Sequence, residues 1–281
     1  MTDKPNFEAV PQGPLTEARL YLGDSDFVIQ SFEHPLGALA TAVVACADKP
    51  NGNEDSAGII PIADDCLALL IADGVGGAAT PRKASNTVIE TLRDALREVE
   101  DEDARVRTTI LDGIETANSK LRELGTGAAT TLIAADIRDQ QVRTFHVGDS
   151  VAWLVGQRGV IKYQTTPHSP VGFGVEAGLI KENEALEHED LHVISNVIGS
   201  NDMRVEIGSK IPMAALDTLL VASDGLFDNV LPDEIIDIIR TGPVGEAAAR
   251  LCELAQHRMY NSSAGKPSKP DDFSAILFRP A

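Results

Sequence analysis

Five carboxylate clusters in this chain sit at the ends of apolar, strand-like runs, and that placement constrains the fold more than any other feature. Asn53-Glu54-Asp55 follows the run Ala38 to Ala47, and Asp73-Gly74-Val75-Gly76-Gly77 follows Cys66 to Ala72. Gly148-Asp149-Ser150 separates two further runs, Ser223-Asp224-Gly225 follows Leu216 to Ala222, and Asp271-Asp272 precedes Phe273 to Phe278. Any one of these is an ordinary Asp-Gly turn. Repeated at the tips of buried strands, bare carboxylates repel one another, and a hard divalent cation with oxygen ligands relieves that repulsion. Glycine beside the aspartate lets the backbone carbonyl approach the same ion.

The runs themselves set the fold class. Cys66 to Ala72 is apolar throughout, as a strand covered on both faces must be. Val88, Leu92 and Val99, then Val106, Ile110, Ile114, Ala117, Leu121 and Leu124, follow helical spacing, which Gly125 and Gly127 end. Four short β-rich runs between Ala129 and Thr165 predict an antiparallel meander. Residues 164–210 mix Pro, Gly and acidic residues, with helical hints at Glu182 to Glu189, and read as an excursion from the sheet. Pro232 with Asp233 and Glu234 opens one helix, and Glu246 to Met259 forms another. The first 16 residues predict a flexible tail, with structure starting near Glu17. No linker or repeat divides the rest, so residues 17–281 are expected to be one α+β domain.

Charge and cysteine content narrow the chemistry. With 24 basic and 43 acidic residues the net charge is −19, a field that repels nucleic acid and anionic membrane surfaces but attracts divalent cations. Three cysteines without a CxxC pair give neither a disulfide framework nor a zinc cage, so a reducing cytoplasm is expected. No run reaches the ~18 apolar residues of a membrane helix, and the start lacks the apolar core of a signal peptide.

Taken in order, the motifs resemble the metal-dependent serine/threonine protein phosphatases of the PPM, or PP2C-like, family. Asn53-Glu54-Asp55 looks like the family's first acidic motif, Asp73 to Gly77 like its DGxGG loop, and Gly127 to Leu132 like its G(S/T)T strand. Val147 to Ser150 matches VGDS, Leu220 to Phe227 the second metal motif, and Asp271 to Ser274 the closing D(N/D)xS. The resemblance spans roughly residues 40–279 and implies a four-layer αββα sandwich, two antiparallel sheets flanked by helices, with the site where the sheets meet. It implies hydrolysis of phosphoserine and phosphothreonine by a metal-activated water at a dinuclear Mg²⁺ or Mn²⁺ centre. Asp73 would bridge the two ions and Asp224 and Asp271 would complete one site. Glu54 and the Gly74 carbonyl would serve the other, Asp55 would stand behind them, and Asp149 would form a weaker third site. The partner would be a phosphorylated protein, and the enzyme is expected to be a monomer.

Departures from the family pattern concern phosphate capture. The arginine that many members carry four residues before the glutamate is Pro50, the arginine after VGDS is Val151, and the Asp-His of the flap is Pro167-His168. Lys49 and Arg82 are candidate replacements. A low-activity, phosphatase-like regulatory binding module is therefore the alternative. Gly74 to Ala79 also obeys the G-x-G-x-x-A of a dinucleotide-binding turn, but meander strands follow where a second parallel strand is required. His188 to His192 spells the HExxH of zinc proteases, without a third ligand at metzincin spacing.

Overall fold

The structure, a computed structural model, describes residues 7–49, 52–99, 103–185, 188–190 and 193–281. In chain order it contains β1 (Val10–Pro14), β2 (Arg19–Tyr21), β3 (Phe27–His34), β4 (Gly37–Val44), β5 (Asp55–Ala63), β6 (Cys66–Asp73), α1 (Pro81–Arg97) and α2 (Asp103–Glu123). There follow β7 (Leu132–Arg138), β8 (Gln141–Val147), β9 (Val151–Val155), β10 (Ile161–Gln164), α3 (Pro170–Glu176) and α4 (Glu182–Ala185). The last third holds β11 (Glu206–Ile207), β12 (Ile211–Pro212), β13 (Thr218–Ala222), α5 (Asp224–Phe227), α6 (Pro232–Ile239), α7 (Val244–Tyr260) and β14 (Phe273–Pro280).

Two sheets result, one ordered β1-β3-β4-β14-β13-β9-β10 and the other β11-β8-β7-β6-β5-β2, with β12 also on β8. Side chains alternate along each central strand. In β6, Leu67, Leu69 and Ile71 point between the sheets, where they meet Leu39, Val43, Leu219, Val221 and Ile276. Cys66, Ala68, Leu70 and Ala72 point outward under Val88, Ile89 and Leu92 of α1 and Ile110 and Ile114 of α2. The other sheet is covered by α6 and α7, through Ile235, Ile239, Ala248, Leu251 and Ala255. Both faces of the central strands are dry, which is why their sequences are apolar runs rather than alternating ones. The four-layer sandwich stands as expected.

Three expectations need correcting. β1 lies inside the supposed tail, residues 1–16, and pairs parallel with β3, so one pairing of the sandwich is not antiparallel. Its five residues are almost wholly exposed and carry no alternation; backbone pairing, with Phe7 packed edge-on against Phe27 just before it, holds it down. The meander is two hairpins in different sheets: β7 and β8 pair in one, β9 and β10 in the other. The chain crosses at Gly148, whose φ of +107° only glycine tolerates readily, with Thr131 2.6 Å from where a Cβ would stand. The excursion after β10 holds α3, which the sequence reading missed, capped by Ser169 Oγ accepting from the Gly172 N–H at 2.9 Å. The helical hint at Glu182 to Glu189 is borne out only as α4, a single turn ending at Ala185.

Among the described residues no helix is long and apolar enough to cross a membrane. β6 pairs antiparallel with both neighbours, which removes the dinucleotide-binding reading of the turn after it. Of the HExxH segment, Glu189 and Asp190 form a turn, not the helix that motif needs, and His192 lies outside the described residues.

Candidate active site

Strand register gathers the acidic motifs at one end of both sheets. Asp55 stands directly opposite Asp73 in the β5–β6 pair. In the other sheet Val44 pairs with Phe273, and Ala222 pairs with both Val151 and Ala275, so Asp149, Asp224, Asp271 and Asp272 leave their strands at the same edge. The backbone then locks each loop. Asp73 accepts at its carbonyl from the Thr131 N–H (2.8 Å) and the Thr130 hydroxyl (2.7 Å), and its own N–H donates to Thr131 Oγ1. The Gly74 N–H donates to the Glu54 carbonyl at 3.1 Å, which also accepts from Ser85 Oγ of α1 at 2.6 Å.

The fully buried Asp272 is an organiser that its sequence motif does not reveal. Its Oδ1 accepts from the Cys46 N–H (2.7 Å) and its Oδ2 from the Glu54 N–H (2.9 Å), stitching the loop before β5 to the start of β14. The Gly225 position explains the SDG motif. A Cβ there would lie 1.8 Å from the Asp272 carbonyl oxygen, so only glycine lets α5 begin against β14. Gly225→Ala should destabilise the fold by about 1 to 3 kcal/mol, the usual cost of forcing atoms into a packed site, measured by urea unfolding.

The electrostatics of the cluster are strained in the absence of a divalent cation. Burial, reinforced by Asp55, Asp224, Asp271 and Asp149, raises the Asp73 carboxyl well above the usual range. Burial and Asp272 raise Asp55 to about 8, and burial with Asp224 raises Asp149 and Asp228 to about 7 each. Asp224 moves down: burial is the largest influence and pushes up, but the Lys269 ammonium, a hydrogen bond with Asp73 and Lys49 together outweigh it. Asp228, one helical turn beyond Asp224 in the SDGLFD segment, is a second carboxylate missed from sequence. The i, i+4 spacing could have shown it.

Two lysines supply the internal counter-charge. Lys49 Nζ lies 2.6 Å from Asp271, 2.9 Å from Asp272 and 3.0 Å from Glu54. Lys269 Nζ lies 2.7 Å from Asp224, 2.8 Å from Asp228 and 3.1 Å from Asp271. Burial disfavours both ammonium ions, yet Asp271 and Asp272 for the first, and Asp224, Asp228 and Asp271 for the second, hold them charged. Lys49, read as a candidate phosphate ligand, thus points into the carboxylates. Arg82 has its side chain against Gly23 and its Nη1 3.3 Å from where a Cβ on Gly52, two residues before Glu54, would stand. Pro50, the position of the missing arginine, is outside the described residues.

The donor set suits a hard cation. It consists of carboxylate and carbonyl oxygens, and Asp149 Oδ1 is buried with no hydrogen-bond partner, an acceptor aimed at nothing the protein supplies. Beside it opens a cavity of about 510 Å³ lined by Val151, Trp153, Ile161, Val171 and Phe227, with Asp149, Asp224 and Asp228 at one end.

A protein phosphatase 2C family model matches residues 46–257, three quarters of the chain and every motif of the site but the last. The chain belongs to the protein phosphatase 2C family. It is a phosphoprotein phosphatase of the PPM type. The phosphatase is 31% identical over 198 residues to protein phosphatase PhpP of Streptococcus pneumoniae, covering 67% of this chain and 79% of that one. It superposes on the serine/threonine phosphatase of S. agalactiae with a TM-score of 0.74 at 26% identity, covering 86% of this chain and all of that one. The catalytic domain of the serine/threonine phosphatase PstP, solved with manganese ions, gives a TM-score of 0.67 at 25% identity over 86% of this phosphatase and 96% of that domain.

Proposed function

We propose that the phosphatase hydrolyses phosphoserine and phosphothreonine on proteins at a dinuclear Mg²⁺ or Mn²⁺ centre. The observation that carries this is the convergence of Asp73, Asp224, Asp271, Glu54 and Asp149 at one end of the two sheets, with a buried carboxylate oxygen left unpartnered. In this reading Asp73 would serve both cations, Asp224 and Asp271 would hold one, Glu54 and the Gly74 carbonyl would hold the other, and Asp149 would serve a weaker third. Bound there, such cations lower the pKa of water toward neutrality and offset charge on the phosphoryl oxygens.

The protein's own groups do the positioning. Asp55 is held by the Ser223 hydroxyl at 2.7 Å and by the Asn53 side chain on its N–H, so it braces Asp73 across the β5–β6 pair. Thr131 fixes the Asp73 backbone and is itself held by Ser150 at 2.8 Å, so the VGDS turn and the DGxGG loop move as one. The apolar cavity beside Asp149 gives the substrate chain a dry bed. Three buried free cysteines fit action in a reducing cytoplasm.

The second reading, a slow phosphatase-like binding module, draws on one observation: Lys49, the basic group nearest the missing arginine, is engaged by three carboxylates. Hydrolysis of p-nitrophenyl phosphate and of a phosphothreonine peptide, each with and without Mn²⁺, separates the two. Turnover that requires Mn²⁺ is expected. Bound metal without turnover would support the module instead.

A further inference from the structure

Lys269 stands out because its place in the cluster is built, not incidental. The wholly buried Asn229 pins the backbone on both sides of that side chain: the Lys269 N–H donates to Asn229 Oδ1 at 2.8 Å, and Asn229 Nδ2 donates to the Lys269 carbonyl at 2.9 Å. The same amide nitrogen donates to the Gly225 carbonyl at 2.9 Å, tying the segment to the start of α5. Ser268 Oγ, one residue earlier, donates to the Arg258 carbonyl of α7 at 2.7 Å, and prolines flank the pair at 267 and 270. A segment fixed this firmly delivers its ammonium to one place, within 3.1 Å of Asp224, Asp228 and Asp271. Two of those three carboxylates are the ones assigned above to a single cation.

We propose that Lys269 is a built-in competitor for the cation in the Asp224–Asp271 lobe, holding those carboxylates together in the metal-free enzyme and leaving when a divalent ion enters. The inference rests on the dinuclear reading of the site. The physical ground is exclusion. A cation held by Asp224 and Asp271 would draw on the carboxylate oxygens that the ammonium now engages, and the two positive charges would repel. Lys49 differs. One of its partners, Asp272, is committed to the backbone N–H groups of Cys46 and Glu54, so its pairing can persist beside a filled site. The consequence is a metal lobe whose affinity is set by a lysine, so that occupancy follows the free cation concentration rather than being saturated at all times.

Two measurements on the full chain test this. In calorimetric titration with Mn²⁺, Lys269→Met should bind about ten- to hundredfold more tightly than wild type at one site, the equivalent of releasing charge-assisted hydrogen bonds that the cation must otherwise break. Lys269→Arg, which keeps the charge, should stay within a few-fold of wild type. In wild-type protein, acetylation by an amine-reactive ester, read residue by residue by mass spectrometry, should be slow at Lys269 in EDTA and several-fold faster with Mn²⁺, while Lys49 changes little. This second arm needs no variant and so stands if Lys269→Met fails to fold. Equal or weaker Mn²⁺ binding by Lys269→Met, or equal labelling of Lys269 with and without Mn²⁺ in protein shown to bind the ion, would overturn the proposal while leaving the metal centre intact. No Mn²⁺ binding by wild type or variant would overturn the metal centre and the proposal with it.

Discussion

Asp73→Asn is expected to lower kcat on p-nitrophenyl phosphate at least about a hundredfold while the protein stays folded, because a group placed to stabilise transition-state charge contributes several kcal/mol. The substitution is nearly isosteric, and the backbone contacts that hold the loop, from Thr130 and Thr131 to the Asp73 carbonyl and N–H, do not involve the carboxylate. Folding and activity should move in opposite directions. In EDTA the variant removes a carboxyl whose ionisation is opposed by burial and by Asp55, Asp224, Asp271 and Asp149, so its metal-free melting temperature should equal or exceed that of wild type. Paired thermal unfolding and rate measurements check this. Retention of more than about a tenth of the rate would reject a bridging role, given the size of effect expected for a shared ligand.

Mn²⁺ should raise the melting temperature, and by more at pH 8 than at pH 5. At a free concentration about 100 times Kd, binding to the native state alone contributes about 2.7 kcal/mol, which is about 4 to 6 °C for a chain of this size. The pH dependence follows from the carboxyls. Asp55 at about 8, with Asp149 and Asp228 at about 7, bind protons in the folded metal-free state that the unfolded chain, with its ordinary carboxyls, has already released. The folded state therefore holds more protons between about pH 4 and 8, and the metal-free protein loses stability as pH rises through that window. Cations that take the place of those protons cancel the loss. His34, His146 and His168 are all shifted down, burial being the main cause, and act in the opposite sense, gaining stability as pH rises through the unfolded histidine value. They are not among the carboxyls assigned to the cations, and whatever they contribute equally with and without Mn²⁺ cancels in the difference between the two curves. A melting difference that is flat or shrinks from pH 5 to pH 8 would mean the cation does not bind at these carboxyls.

The two leading sources of error in reading the chain were local. β5 raises no strand expectation from its sequence, because Gly58 and Pro61 interrupt its alternation; it is a strand because β2 and β6 pair with it on either side. β1 is held by backbone pairing and carries almost no buried side chain, so apolar spacing had nothing to report there. Asp228 and Lys269 escaped for a related reason. Neither belongs to the repeated pattern of carboxylates at strand tips, although each lies within a turn of a residue that does.

The sequence by itself determined the apolar runs and the identity and order of the acidic motifs, because residue type and spacing are written in the chain, and the layered architecture followed from the resemblance those motifs carry. What it could not decide was which sheet each strand joins and which charges meet. The crossing at Gly148 sends β9 away from β8, and the register of β5 on β6 sets Asp55 against Asp73. Lys269 reaches Asp224 only because Asn229, forty residues away, holds its backbone. Side-chain pairing across such separations depends on the closure of the whole sandwich, and only the tertiary structure fixes the few ångströms over which an ammonium and a carboxylate either meet or do not.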